Sequence, residues 1–202
     1  TAATSVFHSS VLGADAGTAD VIPSSYKACR AEAGSVTGSS KVRCALISAS
    51  TGQGAEAREF FSAITTEDAR KCYDDPTVQT NSSSFGVMLR AYCAVRVADY
   101  DLAQDLLEKW KSGNSDGSVF DGTEALRTAI LGYAIKGSGD LHGAIILFRK
   151  HPQLSKYEIL QESLFSIYIN VGRVEDAKRF FDEISSWPSS DSSLRVLYGA
   201  QL

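Results

Sequence analysis

The residues with the most chemistry open to them are four cysteines, Cys29, Cys44, Cys72 and Cys93, and three histidines, His8, His142 and His151. Thiolates and imidazoles hold a structural zinc ion when they come in tight local pairs. This chain has no CxxC and no HxxxH pair. Cys44 and Cys93 sit in the apolar stretches Cys44-Ala-Leu-Ile-Ser48 and Ala91-Tyr-Cys-Ala-Val95, where a free thiol packs as a small hydrophobe. Free, buried cysteines are therefore expected rather than a disulfide framework, which belongs to smaller, Cys-rich chains.

The remaining candidates read as ordinary structure. Gly52-Gln-Gly54 precedes a helical pattern, but a phosphate loop needs GxxxxGK[ST] and a dinucleotide site needs a strand before GxGxxG. A turn fits better. Asn114-Ser-Asp116-Gly117 has the start of a calcium loop, yet Ala125 stands where the twelfth-position glutamate belongs. His142 and His151 fall at helix ends with no neighbouring nucleophile. Asp74-Asp75 reads as a helix-ending turn, and Asn81-Ser-Ser83 as a sequon of no consequence where glycosylation does not occur. No nucleophile, base and orienting group converge, so no catalytic residue, cofactor or metal is expected.

What positions these residues is a chain of 202 residues with 44% apolar and 22% charged side chains, the balance of a folded domain. Twenty basic residues against 24 acidic ones give a net charge of −4. That balance argues against nucleic acid, whose phosphates require clustered positive charge. No apolar run reaches the roughly 18 to 20 residues that cross a bilayer, so membrane insertion is not expected. Residues 1–25 are rich in Ala, Ser, Thr and Gly, contain no Lys or Arg, and are expected to form an extended arm. An intact mitochondrial presequence would carry arginines there. Residues 26–202 are expected to form the folded domain.

Within it one pattern occurs four times. Ala57, Ala103, Ala144 and Ala177 are each followed at three and four residues by two large apolar side chains: Phe60 and Phe61, Leu106 and Leu107, Leu147 and Phe148, Phe180 and Phe181. Seven residues after the alanines stand Ile64, Trp110, His151 and Ile184, and five before them Gly52, Ala98, Gly139 and Gly172. Offsets of three, four and seven share one helical face. The small residue suits a left-handed turn closing the preceding helix. Apolar first helices precede each turn, around Cys44–Ile47, Met88–Tyr92, Ile130–Tyr133 and Leu164–Tyr168. Each unit thus predicts helix, turn, helix. Trp110 and Trp187 end second helices as core residues, a partner anchor being the sharper reading.

The anchors Ala57, Ala103, Ala144 and Ala177 are 46, 41 and 33 residues apart, so the earlier units carry insertions. The stretches 74–84 and 111–118 are polar and turn-rich, and Thr66–Tyr73 adds a short helical turn. Leu194, Val196, Leu197 and Tyr198 suffice for a capping helix on the open end. The expected fold is all-α, an α-solenoid of about four helix-turn-helix repeats with a C-terminal cap.

The segment Tyr168-Ile-Asn-Val-Gly-Arg-Val-Glu-Asp-Ala-Lys-Arg-Phe-Phe-Asp-Glu-Ile184 resembles the pentatricopeptide repeat, which runs aromatic, small turn residue, alanine, then a bulky pair and an apolar close. The units Phe85–Trp110 and Ile130–Lys150 match with two extra residues in the turn, and Val42–Ile64 matches least. The resemblance covers about residues 42–184. Most members bind single-stranded RNA in organelles, one base per repeat, through a first-helix side chain six before the aromatic. The corresponding residues here are Val42, Gly86, Arg127 and Glu162, where the family expects Asn, Thr or Ser.

A member without reading residues resembles the small pentatricopeptide-type subunits that sit outside the catalytic head of mitochondrial ATP synthase in euglenozoan protists. That resemblance implies a non-catalytic structural subunit on the matrix side of the inner membrane, docked on the head α subunit. Two alternatives accompany it. One is an organellar RNA-binding pentatricopeptide protein, supported by Lys27, Arg30, Lys41 and Arg43. The other is a tetratricopeptide-like adaptor gripping a short peptide.

Overall fold

Short polar side chains set where several helices begin. Thr65 and Asp68 form a reciprocal capping box, Asp75 caps the Thr77 N–H ahead of Pro76, and Ser83 and Asp140 accept from the Gly86 and Gly143 N–H groups. The computed structural model describes Cys29 and residues 38–113 and 121–185. Among these, ten helices follow in order: α1 Ser39–Ser50, α2 Gly54–Ala63, α3 Thr66–Asp74, α4 Pro76–Gln79, α5 Ser84–Arg96, α6 Tyr100–Gly113, α7 Asp121–Gly137, α8 Leu141–Arg149, α9 Glu158–Asn170 and α10 Val174–Ser185. The protein is all-α, with no strand among the described residues. The expected N-terminal arm, most of the 111–118 insertion, Trp187 and the capping helix lie outside them.

Four hairpins, α1–α2, α5–α6, α7–α8 and α9–α10, share one turn. Gly52, Ala98, Gly139 and Gly172 all have positive φ, at 75°, 66°, 98° and 73°. In each, the next N–H reaches back to a carbonyl five residues earlier: Gln53 to Ser48, Asp99 to Ala94, Asp140 to Ile135 and Arg173 to Tyr168. This is the Schellman arrangement, which satisfies carbonyls the helix end leaves open. Every first helix stops two residues before the positive-φ position and every second helix starts two after it. The two extra residues expected in the second and third turns therefore lie in α5 and α7. Tyr92 and Tyr133 are six residues before the turn position and Tyr168 is four, so the aromatics are not equivalent along their helices.

Thr66–Tyr73, read as a helical turn, is the full helix α3, and Asp75 both ends it and caps α4. Helix α3 packs against α1 and α5. From the second hairpin onward, neighbour packs on neighbour: α5 and α6 on α7, then α7 and α8 on α9. Gly132 lets α8 come close, because a Cβ there would stand 2.3 Å from the Phe148 ring. The first hairpin departs from this sequence, since α1 also packs on α7 of the third. Two apolar clusters fill the interior, one around Leu46, Met88 and Leu107, the other around Phe148, Leu164 and Phe180, with Ile159 touching both.

The cysteines correct the sequence reading. None is free: Cys29 pairs with Cys44 and Cys72 with Cys93, with Cα separations of 5.4 and 6.0 Å. All four are fully buried. They do behave as core residues, as expected, but in covalent pairs. The second bridge ties α3 to α5, a contact made by the insertion and invisible in the repeat pattern.

Candidate functional site

The four anchor alanines are buried, and each bulky pair divides its labour. Phe60, Leu107, Phe148 and Phe180 are buried, while Phe61, Leu106, Leu147 and Phe181 are half-exposed. These residues build the hairpins and do not meet at one site. The closing residues Ile64, Trp110 and Ile184 are buried too. His151 is half-buried, its Nδ1 accepting from the Gln153 N–H at 3.2 Å, and burial lowers its pKa. His142 lies exposed in the first turn of α8.

The positions where the resemblance places base-reading residues are turned inward or engaged. Val42 is fully buried, and Gly86 is buried with the Asn81 side chain over it. Arg127 is buried and held by Glu124 at 2.8 Å. Aligning the units on their turns instead substitutes Met88 and Ala129 for Gly86 and Arg127, and both are buried. Glu162 is partly open, but Arg58 of α2 grips it at 2.7 Å and Glu158 at 3.0 Å.

That grip frames a cavity of about 750 Å³. First helices form its floor: Tyr92, Val95 and Arg96 from α5, Leu126, Ile130 and Tyr133 from α7, and Ile159, Ser166 and Ile169 from α9. Helix α2 crosses over it, with Arg58 on the α9 carboxylates and the Phe61 ring 5.5 Å from that of Tyr92. The roof is anchored from behind. Lys41 of α1 reaches Asp68 of α3 at 3.1 Å, and the Cys72–Cys93 bridge fixes α3 to α5.

Electrostatics inside follow from partial burial. Burial raises the Glu162 carboxyl above its ordinary value, with the Arg58 hydrogen bond and charge opposing. Burial pulls the Arg58 guanidinium down, but Glu162 and Glu158 more than offset it, leaving its pKa raised. Burial raises the Tyr133 phenol, opposed by a hydrogen bond with Ser163. Arg96 is placed differently. Its guanidinium donates to the Tyr92 hydroxyl at 3.0 Å and the Ile64 carbonyl at 3.2 Å, and it stands 5.9 Å from the Tyr92 ring centroid. No carboxylate pairs with it among the described residues.

No family model, curated protein or solved structure matches the chain. Among the described residues no three His, Cys, Asp or Glu side chains gather as a metal site, and no helix is long and apolar enough to cross a membrane. Gly52, part of the rejected phosphate loop, is a Schellman turn. The Asn114–Gly117 segment lies outside the described residues. Repeat patterning did not reveal the cavity, because Arg58 and Arg96 sit at offsets it does not weigh. The available signal was a charged residue directly after a buried anchor, Arg58 beside Ala57.

Proposed function

We propose that this chain is a non-catalytic structural subunit, a degenerate pentatricopeptide-type α-solenoid kept for contact with another protein. Its partner is the outside of the catalytic head of mitochondrial ATP synthase, on the α subunit, at the matrix side of the inner membrane. The observation that carries the protein-binding reading is the state of the reading positions: Val42, Gly86 and Arg127 are buried and Glu162 is held by Arg58. A base edge needs an exposed hydrogen-bonding side chain at each of those places. The net charge of −4 works in the same direction. The partner comes from the family resemblance. Both disulfides are fully buried, which slows thiol exchange because exchange requires access to a sulfur.

The test is purification of ATP synthase from the source mitochondria, followed by cross-linking. The expected result is this chain comigrating with the head and cross-linked to the α subunit. Recovery only as a free monomer overturns the assignment. A filter-binding titration separates the RNA reading: tight binding to single-stranded RNA that weakens steeply with salt would establish it instead.

A further inference from the structure

We propose that the cavity under α2 binds a small single-chain amphipathic anion, a long-chain carboxylate, with its tail on the first-helix floor and its carboxylate on Arg96. The volume of about 750 Å³ falls within the roughly 300 to 1,000 Å³ of small-molecule sites. A volume of that size favours a small molecule over a peptide helix. Such a helix is about 10 to 12 Å wide with its side chains and needs an open trough, whereas α2 is pinned across this one by Arg58 and Phe61.

Chemistry selects the ligand class. Val95, Ile159 and Ile169, the aliphatic floor side chains with exposed surface, offer no hydrogen bonds to a sugar or nucleotide. Most polar groups nearby are already used: Ser163 Oγ donates to the Ile159 carbonyl at 2.6 Å, Ser62 Oγ to the Glu59 carbonyl at 2.8 Å, Asn170 Nδ2 to Ser166 Oγ at 3.2 Å, and Glu162 accepts from Arg58. Arg96 is the exception. A guanidinium has five N–H donors, and Arg96 commits two of its nitrogens to neutral oxygens, Tyr92 Oη and Ile64 O. Its charge is thus uncompensated by any described carboxylate, at a half-exposed position on a lining that is mostly apolar. A guanidinium with donors to spare beside apolar surface takes a carboxylate through a charge-assisted hydrogen bond. A carboxylate entering with an apolar tail supplies that pair and covers the floor at once. Arg58 offsets only one of the two α9 carboxylates it holds, so the acid preference rests on Arg96 alone.

The experiment uses the full, oxidised chain titrated with cis-parinaric acid, a fluorescent long-chain carboxylate, and with its uncharged methyl ester. Saturable one-to-one binding of the acid, about tenfold tighter than the ester, is expected from one charge-assisted contact. Arg96→Gln is expected to bind acid and ester alike, and Arg96→Lys to keep the acid preference. Ser166→Trp fills the cavity from a half-exposed position and is expected to lose both ligands while circular dichroism stays unchanged. No saturable binding of the acid, or equal binding of acid and ester by the wild-type chain, overturns the proposal. That comparison stands whether or not a variant folds.

Discussion

Arg58 in the first hairpin and Glu162 in the fourth meet at 2.7 Å across 104 residues of chain. In a one-dimensional stack each unit touches only its neighbours. Here the first unit folds back, so its stability and that of the last are coupled. Arg58→Ala removes the guanidinium that bridges two partly buried carboxylates, and the expected loss is about 1 to 3 kcal/mol in urea unfolding. Glu162→Gln costs less, because burial already disfavours its charge. A double-mutant cycle giving a coupling under about 0.3 kcal/mol would show that the clasp carries no energy.

The disulfides are open to direct chemistry. Thiol titration of the denatured, unreduced chain is expected to find no free cysteine, and finding all four of them reactive would remove both bridges. Replacing Cys72 and Cys93 together by Ala is expected to lower stability by about 2 to 4 kcal/mol. Because that bridge anchors α3 behind the roof, the same variant is expected to loosen the α1–α2 hairpin first, seen as faster amide exchange there.

Ala98 occupies the left-handed position that glycine fills in the other three turns, with φ 66°. Ala98→Gly is expected to stabilise the chain by about 0.5 to 1 kcal/mol, the relief of Cβ strain exceeding the added freedom of the unfolded chain. Gly172→Ala is expected to cost about 1 kcal/mol, purely through conformation, since nothing lies within 4 Å of the new Cβ. Calorimetry of both variants checks the sign; a destabilised Ala98→Gly would refute it.

Asp68 accepts from the Gly38 N–H at 2.9 Å, the Thr65 N–H at 3.0 Å, the Thr65 hydroxyl at 2.8 Å and Lys41 at 3.1 Å. Burial alone would raise its pKa, but these donors hold the carboxyl far below the usual carboxylate range. A folded pKa below the unfolded one stabilises above the ordinary value near 3.8 and loses that stability as pH falls toward the folded pKa. Asp68→Asn is therefore expected to cost about 1 to 3 kcal/mol at neutral pH and to flatten the acid limb of the stability curve below about pH 4. A variant with the wild-type acid limb would show that Asp68 does not drive it.

The hairpins were legible because their causes are local. Four alanines with bulky residues at three and four, and a small residue five before, specify where a second helix begins and which face it buries. Gly52, Gly139 and Gly172 announce left-handed turns, and Ala98 was found by register alone. Register along the first helices was less secure: Tyr92 and Tyr133 sit one half-turn further from their turns than Tyr168, and only backbone geometry shows it.

What tertiary structure alone decided is how the first unit meets the rest. Helix α1 packs on α3, a helix outside the hairpins, and on α7, and α3 is tied to α5 by the Cys72–Cys93 bridge, a pairing that sequence does not show. That packing accompanies the meeting of Arg58 with Glu162 and of Arg96 with the Ile64 carbonyl, which frame the cavity. Periodicity reports which side of a helix is apolar; it carries no information about which distant helix will cover that side.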